Sequence, residues 1–176
     1  MKDPRDLGDP GTAAFQLEKY PFYLLNRLVS RYNVVIEARL KTIGIDIPYW
    51  RVLMVLGQKS PRGVGQLAEA AVIPFSTMTR IVQRMVTAKL VVCRQLESDN
   101  RVTEVTMTSK GKQKLSEARM ITAPVYAQII RGFSIEDFEQ LTHSLDRLHG
   151  NLAPLVPGKR NGDSLSEAES SASDKQ

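Results

Sequence analysis

Residues 91–111 read VVCRQLESDNRVTEVTMTSKG, and this stretch constrains the fold more than any other. Leu90 to Gln95 and Val102 to Met107 run apolar or alternate, as strands do. The ESDN between them is turn chemistry. Thr108 is placed to cap a helix that begins at Ser109. Immediately upstream, GQLAEAAV predicts a short helix, VIP a turn, and FSTMTRIVQRMVTAKL a second helix opened by Pro74. In that helix Met78, Ile81, Val82 and Met85 form one apolar stripe at helical spacing. Ser76, Arg80, Gln83, Arg84 and Thr87 fall on the other side. Helix, turn, helix and β-hairpin together predict a winged helix-turn-helix: a mainly α fold with a small β-hairpin wing.

The flanks are helical. Residues 1–14 are rich in Gly, Pro and Asp and read as a flexible N-terminal arm. From Pro21, a residue suited to a first helical position, Leu25, Leu28, Val29, Tyr32, Ile36 and Leu40 recur at spacings of three and four, until Gly44 stops the helix. Ile47 to Gly57 predicts a helix of about three turns, and SPRGVG a loop. A further helix runs from Ser109 to about Arg131, interrupted or bent at Pro124. Ser134 and Asp137 resemble a capping arrangement. They precede a last helix lined by Ile135, Phe138, Leu141, Leu145, Leu148 and Leu152. From Pro157 the chain is polar and serine-rich, the composition of a disordered tail. The organisation expected is therefore a DNA-binding lobe at 47–108, a helical dimerisation region at 15–46 and 109–156, and a tail at 157–176. Wide apolar faces on the first and last helices call for a second copy to cover them.

Charge is concentrated where the winged pattern lies. The chain carries 24 Lys/Arg against 19 Asp/Glu. Residues 48–110 hold nine Lys/Arg against four Asp/Glu, so that segment accounts for the whole excess. A localised basic region is a footprint for phosphate. The single cysteine, Cys93, rules out an intramolecular disulfide and argues against a thiolate metal cluster. It sits in a β run, where a half-buried thiol is usually inert; redox sensing is the alternative. His143 and His149 lie on different faces of one helix and make a poor metal pair. Ser144 and Asp146 beside His143 point apart and cannot form a catalytic triad. The GVG at 63–65 lacks the lysine and spacing of a phosphate loop. No apolar run has signal-peptide length or the roughly 20 residues needed to span a bilayer. The expectation is a soluble cytoplasmic protein without cofactor or metal, and not an enzyme.

Two groups carry the chemistry. Hydroxyls of Ser76 and Thr77 and the free amides of a first helical turn suit a phosphate. Arg80, Gln83 and Arg84 suit base edges, arginine pairing with guanine and glutamine with adenine. At the hairpin tip Arg101 suits a narrow minor groove, with Asp99 holding its guanidinium. Against these stand a solvated amphipathic helix with arbitrary arginines and an ordinary surface ion pair.

The run DNRVTEVTMTSKG resembles the D-x-R…L-T-x-x-G signature of the MarR family of transcriptional regulators, with Asp99, Arg101, Thr108 and Gly111 in place. STMTRIVQRMVTAKLV resembles that family's recognition helix. The order of elements matches from Pro21 to about Leu155. The resemblance implies a homodimer with intertwined first and last helices on a pseudo-palindromic operator of double-stranded DNA. It also implies repression that a small aromatic or anionic effector relieves. It places Ser76, Thr77, Thr79, Arg80 and Arg84 in the major-groove helix and Arg101 at the minor groove. Effector-lining candidates are Tyr23, Arg27, Arg31, Tyr49, Trp50, Arg51 and Met54. Alternatively Trp50 and Met54 are plain core, and Arg27 and Arg31 are solvated or pair with Glu37 or a partner's acidic residues. Three departures stand out: Met107 for leucine, Lys89 for the glycine before Leu-Val, and Ile73 where a capping serine or aspartate is usual. The alternative function is a winged-helix protein-interaction module without its own operator.

Overall fold

The structure, a computed structural model, describes residues 3–96 and 99–156, with the side chains at 96–102 outside that description. The described residues fall into two compact units divided between Ile129 and Ile130. The expected tail from 157 lies outside the described residues, as do Glu97 and Ser98 of the ESDN turn.

The segment expected to be a loose arm is locally organised. Asp3 caps a 3-10 turn over Pro4–Leu7, accepting from the Arg5 amide at 2.9 Å. Gln16 N donates to Leu7 O at 2.8 Å, folding the arm back on itself. Phe15, Tyr20 and Phe22 then meet edge to face, with centroids 5.9 and 5.5 Å apart. Short polar side chains of this kind close turns through their own backbone.

Pro21 opens α1 (Pro21–Lys41), where a missing N–H has no helical partner to lose. Of this long helix only Ile36 and Leu40 are buried. Gly44, at φ +74°, reverses the chain in the left-handed region that suits glycine. Asp46 caps α2 (Ile47–Gln58), its Oδ1 accepting from Tyr49 N at 2.9 Å. Tyr49, Trp50, Val52, Leu53 and Leu56 of α2 are all buried, making it the central helix of the first unit.

The SPRGVG segment is not wholly loop: β1 (Arg62–Gly63) pairs antiparallel with the wing. Two residues are too few to show an alternation in sequence. α3 (Val64–Ala70) begins directly after it, with Gln66 Oε1 accepting from Gly63 N at 3.2 Å. α4 (Phe75–Thr87) follows the turn at 71–74. The wing is β2 (Val91–Leu96) and β3 (Asp99–Met107), in a three-stranded sheet of order β1-β3-β2. Val91 faces Met107 and Cys93 faces Val105, with an irregularity between Gln95 and Leu96 towards the tip. Val91, Val105 and Met107 are buried and seal the sheet onto the core.

α5 (Ser109–Ile129) packs against α1 and α2 and continues unbroken through Pro124. The proline removes one backbone donor but does not end the helix. Buried Leu115, Ala118 and Thr122 hold the preceding turns. The Thr122 hydroxyl bonds back to Ala118 O at 2.8 Å. In the second unit, α6 (Ile135–Leu152) starts with a reciprocal capping box. Ser134 Oγ accepts from Asp137 N at 3.1 Å, and Asp137 Oδ2 accepts from Ser134 N at 3.0 Å. Aspartate thus does the work more often done by glutamate.

Candidate nucleic-acid interface

α4 divides as its sequence predicts. Met78, Ile81, Val82 and Met85 are buried, while Ser76, Thr77, Arg80 and Gln83 are exposed and Thr79 half-buried. The helix has no side-chain cap at Pro74, so its first-turn amides stay open. Ile73, packed against the core, and fully buried Met78 occupy the positions of a hydrophobic staple, which sets the entry of the chain without a polar cap. The preceding turn contains Val72 at φ +54°, strained backbone for a β-branched residue.

The carboxyl end of α4 is tied to the wing and to α5. Thr108 Oγ1 shares its proton between Lys89 O at 2.8 Å and Leu90 O at 3.0 Å, and accepts from Gly111 N at 3.0 Å. Lys110 Nζ reaches Ala88 O at 2.9 Å. A Cβ on Gly111 would stand 2.2 Å from Leu90 O and 2.7 Å from Met107 Cγ. The threonine and glycine of the D-x-R…T-x-x-G pattern are therefore a joint between three elements. Lys89, in place of the usual glycine, adopts φ +61°, the conformation that glycine would take freely.

Arg84 has a second engagement that sequence spacing did not reveal. Its Nη2 lies 3.3 Å from Asp46 Oδ2, and its guanidinium sits 5.1 Å over the Tyr49 ring. It therefore braces α4 against the start of α2, although its side chain remains 63 % exposed. Burial raises the Tyr49 phenol above its usual range, with the Arg84 charge opposing that shift. Asp46 was absent from the candidate residues. Its position before a proline-containing helix start marks it as a cap, but its partner lies 38 residues away.

An open cleft of about 850 Å³ separates α3 and α4 from the wing. Gln66, Phe75, Thr79 and Gln83 line one side, Cys93 and Thr103 the other. Cys93 lies on the same side of β2 as buried Val91 and opposite buried Val105, but is itself exposed. Partial burial raises its thiol above the usual range, which opposes the thiolate a redox sensor needs. Asp99 and Arg101 belong to β3, and their side chains lie outside the described residues.

The seven effector candidates do not share one cavity. Tyr23 and Arg27 stack on each other, 5.8 Å apart. Arg31 lines a groove of about 360 Å³ between α1 and α5, with Leu28, Tyr32, Val35, Arg39 and Ile129. Tyr49 is buried beneath Arg84. Trp50 is core, and its edge joins Arg51 and Met54 in a shallow groove against α3. Helical spacing placed these residues on neighbouring turns but did not resolve which face of α1 or α2 each occupies. Glu37, considered as a partner for Arg27 or Arg31, pairs with Lys41 at 3.0 Å.

Among the described residues no group of three or more His, Cys, Asp or Glu is gathered for a metal. None of their helices is long and apolar enough to cross a membrane.

No family model matches the chain. The chain is 32 % identical over 147 residues to the HTH-type transcriptional repressor IacR of Pseudomonas putida, spanning 84 % of this chain and 88 % of that one. Its fold matches a MarR family transcriptional regulator from Silicibacter pomeroyi with TM-score 0.72 and 25 % identity, over 84 % of this chain and 96 % of that one. It also matches the M. tuberculosis regulator MOSR, solved in complex with DNA, with TM-score 0.65 and 18 % identity, over 77 % and 97 % of the two chains. That last likeness carries the fold alone. Identity to a curated repressor across most of both chains, on a winged helix with an open polar recognition face, leads to one assignment: the chain belongs to the MarR family of DNA-binding transcriptional regulators.

Proposed function

We propose that the chain is a repressor that acts as a homodimer on a pseudo-palindromic operator and is released by a small aromatic or anionic effector. The observation that carries this reading is α4. Its apolar stripe is buried to the last residue, while Ser76, Thr77, Arg80 and Gln83 stand free beside an uncapped helix start. An open helix start attracts phosphate, and the arginine and glutamine that follow suit base edges. Residues 47–108 would read the DNA. Residues 15–46 and 109–156 would pair the two copies, since α1 leaves Leu28 and Val34 58 % and 70 % exposed and α6 buries none of its apolar stripe. Two such lobes suit half-sites one helical turn, roughly 34 Å, apart. For the effector, the groove between α1 and α5 offers an apolar lining with Arg31 and Arg39, which suits a ring bearing a carboxylate. By resemblance Arg101 enters the minor groove.

The test is affinity for promoter duplex by fluorescence anisotropy. Arg80→Ala and Arg101→Ala are each expected to weaken binding at least ~10-fold, about 1.4 kcal/mol, without unfolding the protein. Binding should also fall steeply with salt as phosphate contacts release counterions. Equal affinity for promoter and unrelated duplex would instead support an interaction module.

A further inference from the structure

The first residue of α4, Phe75, is 62 % exposed. The fold does not call for it. The helix start is already fixed by Ile73 on the core and by fully buried Met78. Its position is nonetheless specific. Phe75, Thr79 and Gln83 follow each other at i, i+4 and i+8, so they form one ridge of α4, and all three line the cleft facing the wing. Ser76 and Arg80 form the adjacent ridge. The aromatic ring thus heads a row whose other members, half-buried Thr79 and exposed Gln83, are polar.

We propose that Phe75 is a specificity-determining residue that receives the C5-methyl group of a thymine in the major groove. This rests on the reading of α4 as the groove helix. Residues at the amino end of such a helix meet base edges. Phenylalanine has no donor or acceptor, so the polar edges of guanine, cytosine and adenine offer it nothing. Thymine alone presents a methyl group there. The Ser76 hydroxyl of the neighbouring ridge holds the register, Arg80 meets a base edge of its own, and the ring discriminates at one position in each half-site.

The experiment selects duplexes from a random library with the full-length protein, then replaces single thymines by deoxyuridine, which removes the methyl and leaves the pairing intact. Wild type is expected to enrich a consensus with one thymine in each half-site. Changing that thymine to deoxyuridine should weaken wild type roughly four-fold per half-site, the factor that corresponds to burying one methyl-sized group at ~0.8 kcal/mol. Phe75→Ala should lose both the enrichment at that position and the sensitivity to deoxyuridine. Phe75→Leu, still apolar, should keep the sensitivity in part. A consensus from Phe75→Ala identical to that of wild type, or equal sensitivity of the two proteins to deoxyuridine, overturns the proposal but leaves DNA reading by α4 standing. A wild type that enriches no consensus overturns the DNA reading and the proposal with it.

Discussion

Gly111 shows how little room one residue can have. Its amide caps onto Thr108 while its α-carbon lies against Leu90 O, so any side chain meets backbone that cannot move away. Gly111→Ala is expected to cost about 2–3 kcal/mol by overpacking, seen as a lower urea midpoint at an unchanged slope. Gly57 is the natural control. A Cβ there meets the end of the buried Leu115 side chain at 2.5 Å, not backbone. Leu115 must shift within the core, and the ~1 kcal/mol that alanine gains over glycine inside a helix offsets part of that cost, so Gly57→Ala should cost less than Gly111→Ala. Sequence matching picks out Gly111 but gives no reason for it. The reason is a close approach between residues 21 positions apart.

At the scale of elements, α4 turns a polar side outward and is also braced against α2. Arg80 and Arg84, one turn apart, look alike in sequence. Arg84 is engaged with Asp46 and Tyr49, whereas Arg80 is exposed on the polar side of α4. The two should therefore separate in measurement. Arg84→Ala is expected to lower stability by about 1 kcal/mol, the sum of a screened ion pair and a cation–π contact. Arg80→Ala should stay within about 0.5 kcal/mol of wild type, as surface changes do, and act on DNA affinity instead. A double-mutant cycle of Asp46→Asn with Arg84→Ala, read by thermal unfolding, should give a coupling of about 0.5 kcal/mol. Zero coupling would mean that the two side chains do not meet in solution. The amphipathic period of α4 was legible from sequence. The distinction between its two arginines was not, because it depends on where α2 begins.

For the whole molecule, the notable quantity is the apolar surface that each unit leaves exposed on its own helices. Ile135, Phe138, Leu141, Leu145 and Leu152 of α6 are 38–75 % exposed, and α1 leaves most of its apolar face in water. Surface of this extent is what the proposed pairing of two copies would cover. The paired change Leu141→Glu with Leu145→Glu is expected to turn a dimer into a monomer in sedimentation velocity. It should also weaken operator binding by ~100-fold or more, because two half-sites are then no longer bound as a unit. A monomeric wild type would defeat the dimer reading at the outset. The sequence marked these faces as apolar but could not say whether the chain itself would cover them.

Local rules account for much of this protein. Helical period, proline and glycine punctuation, threonine and serine caps and a hairpin turn define nearly every element, because each depends on residues within about one turn of one another. The two-residue β1, the uninterrupted course of α5 through Pro124, the brace of Arg84 on Asp46 and the dispersal of the seven effector candidates belong to the tertiary structure. Each depends on which faces of remote segments meet, and that is decided by packing the shared core, not by any neighbour along the chain.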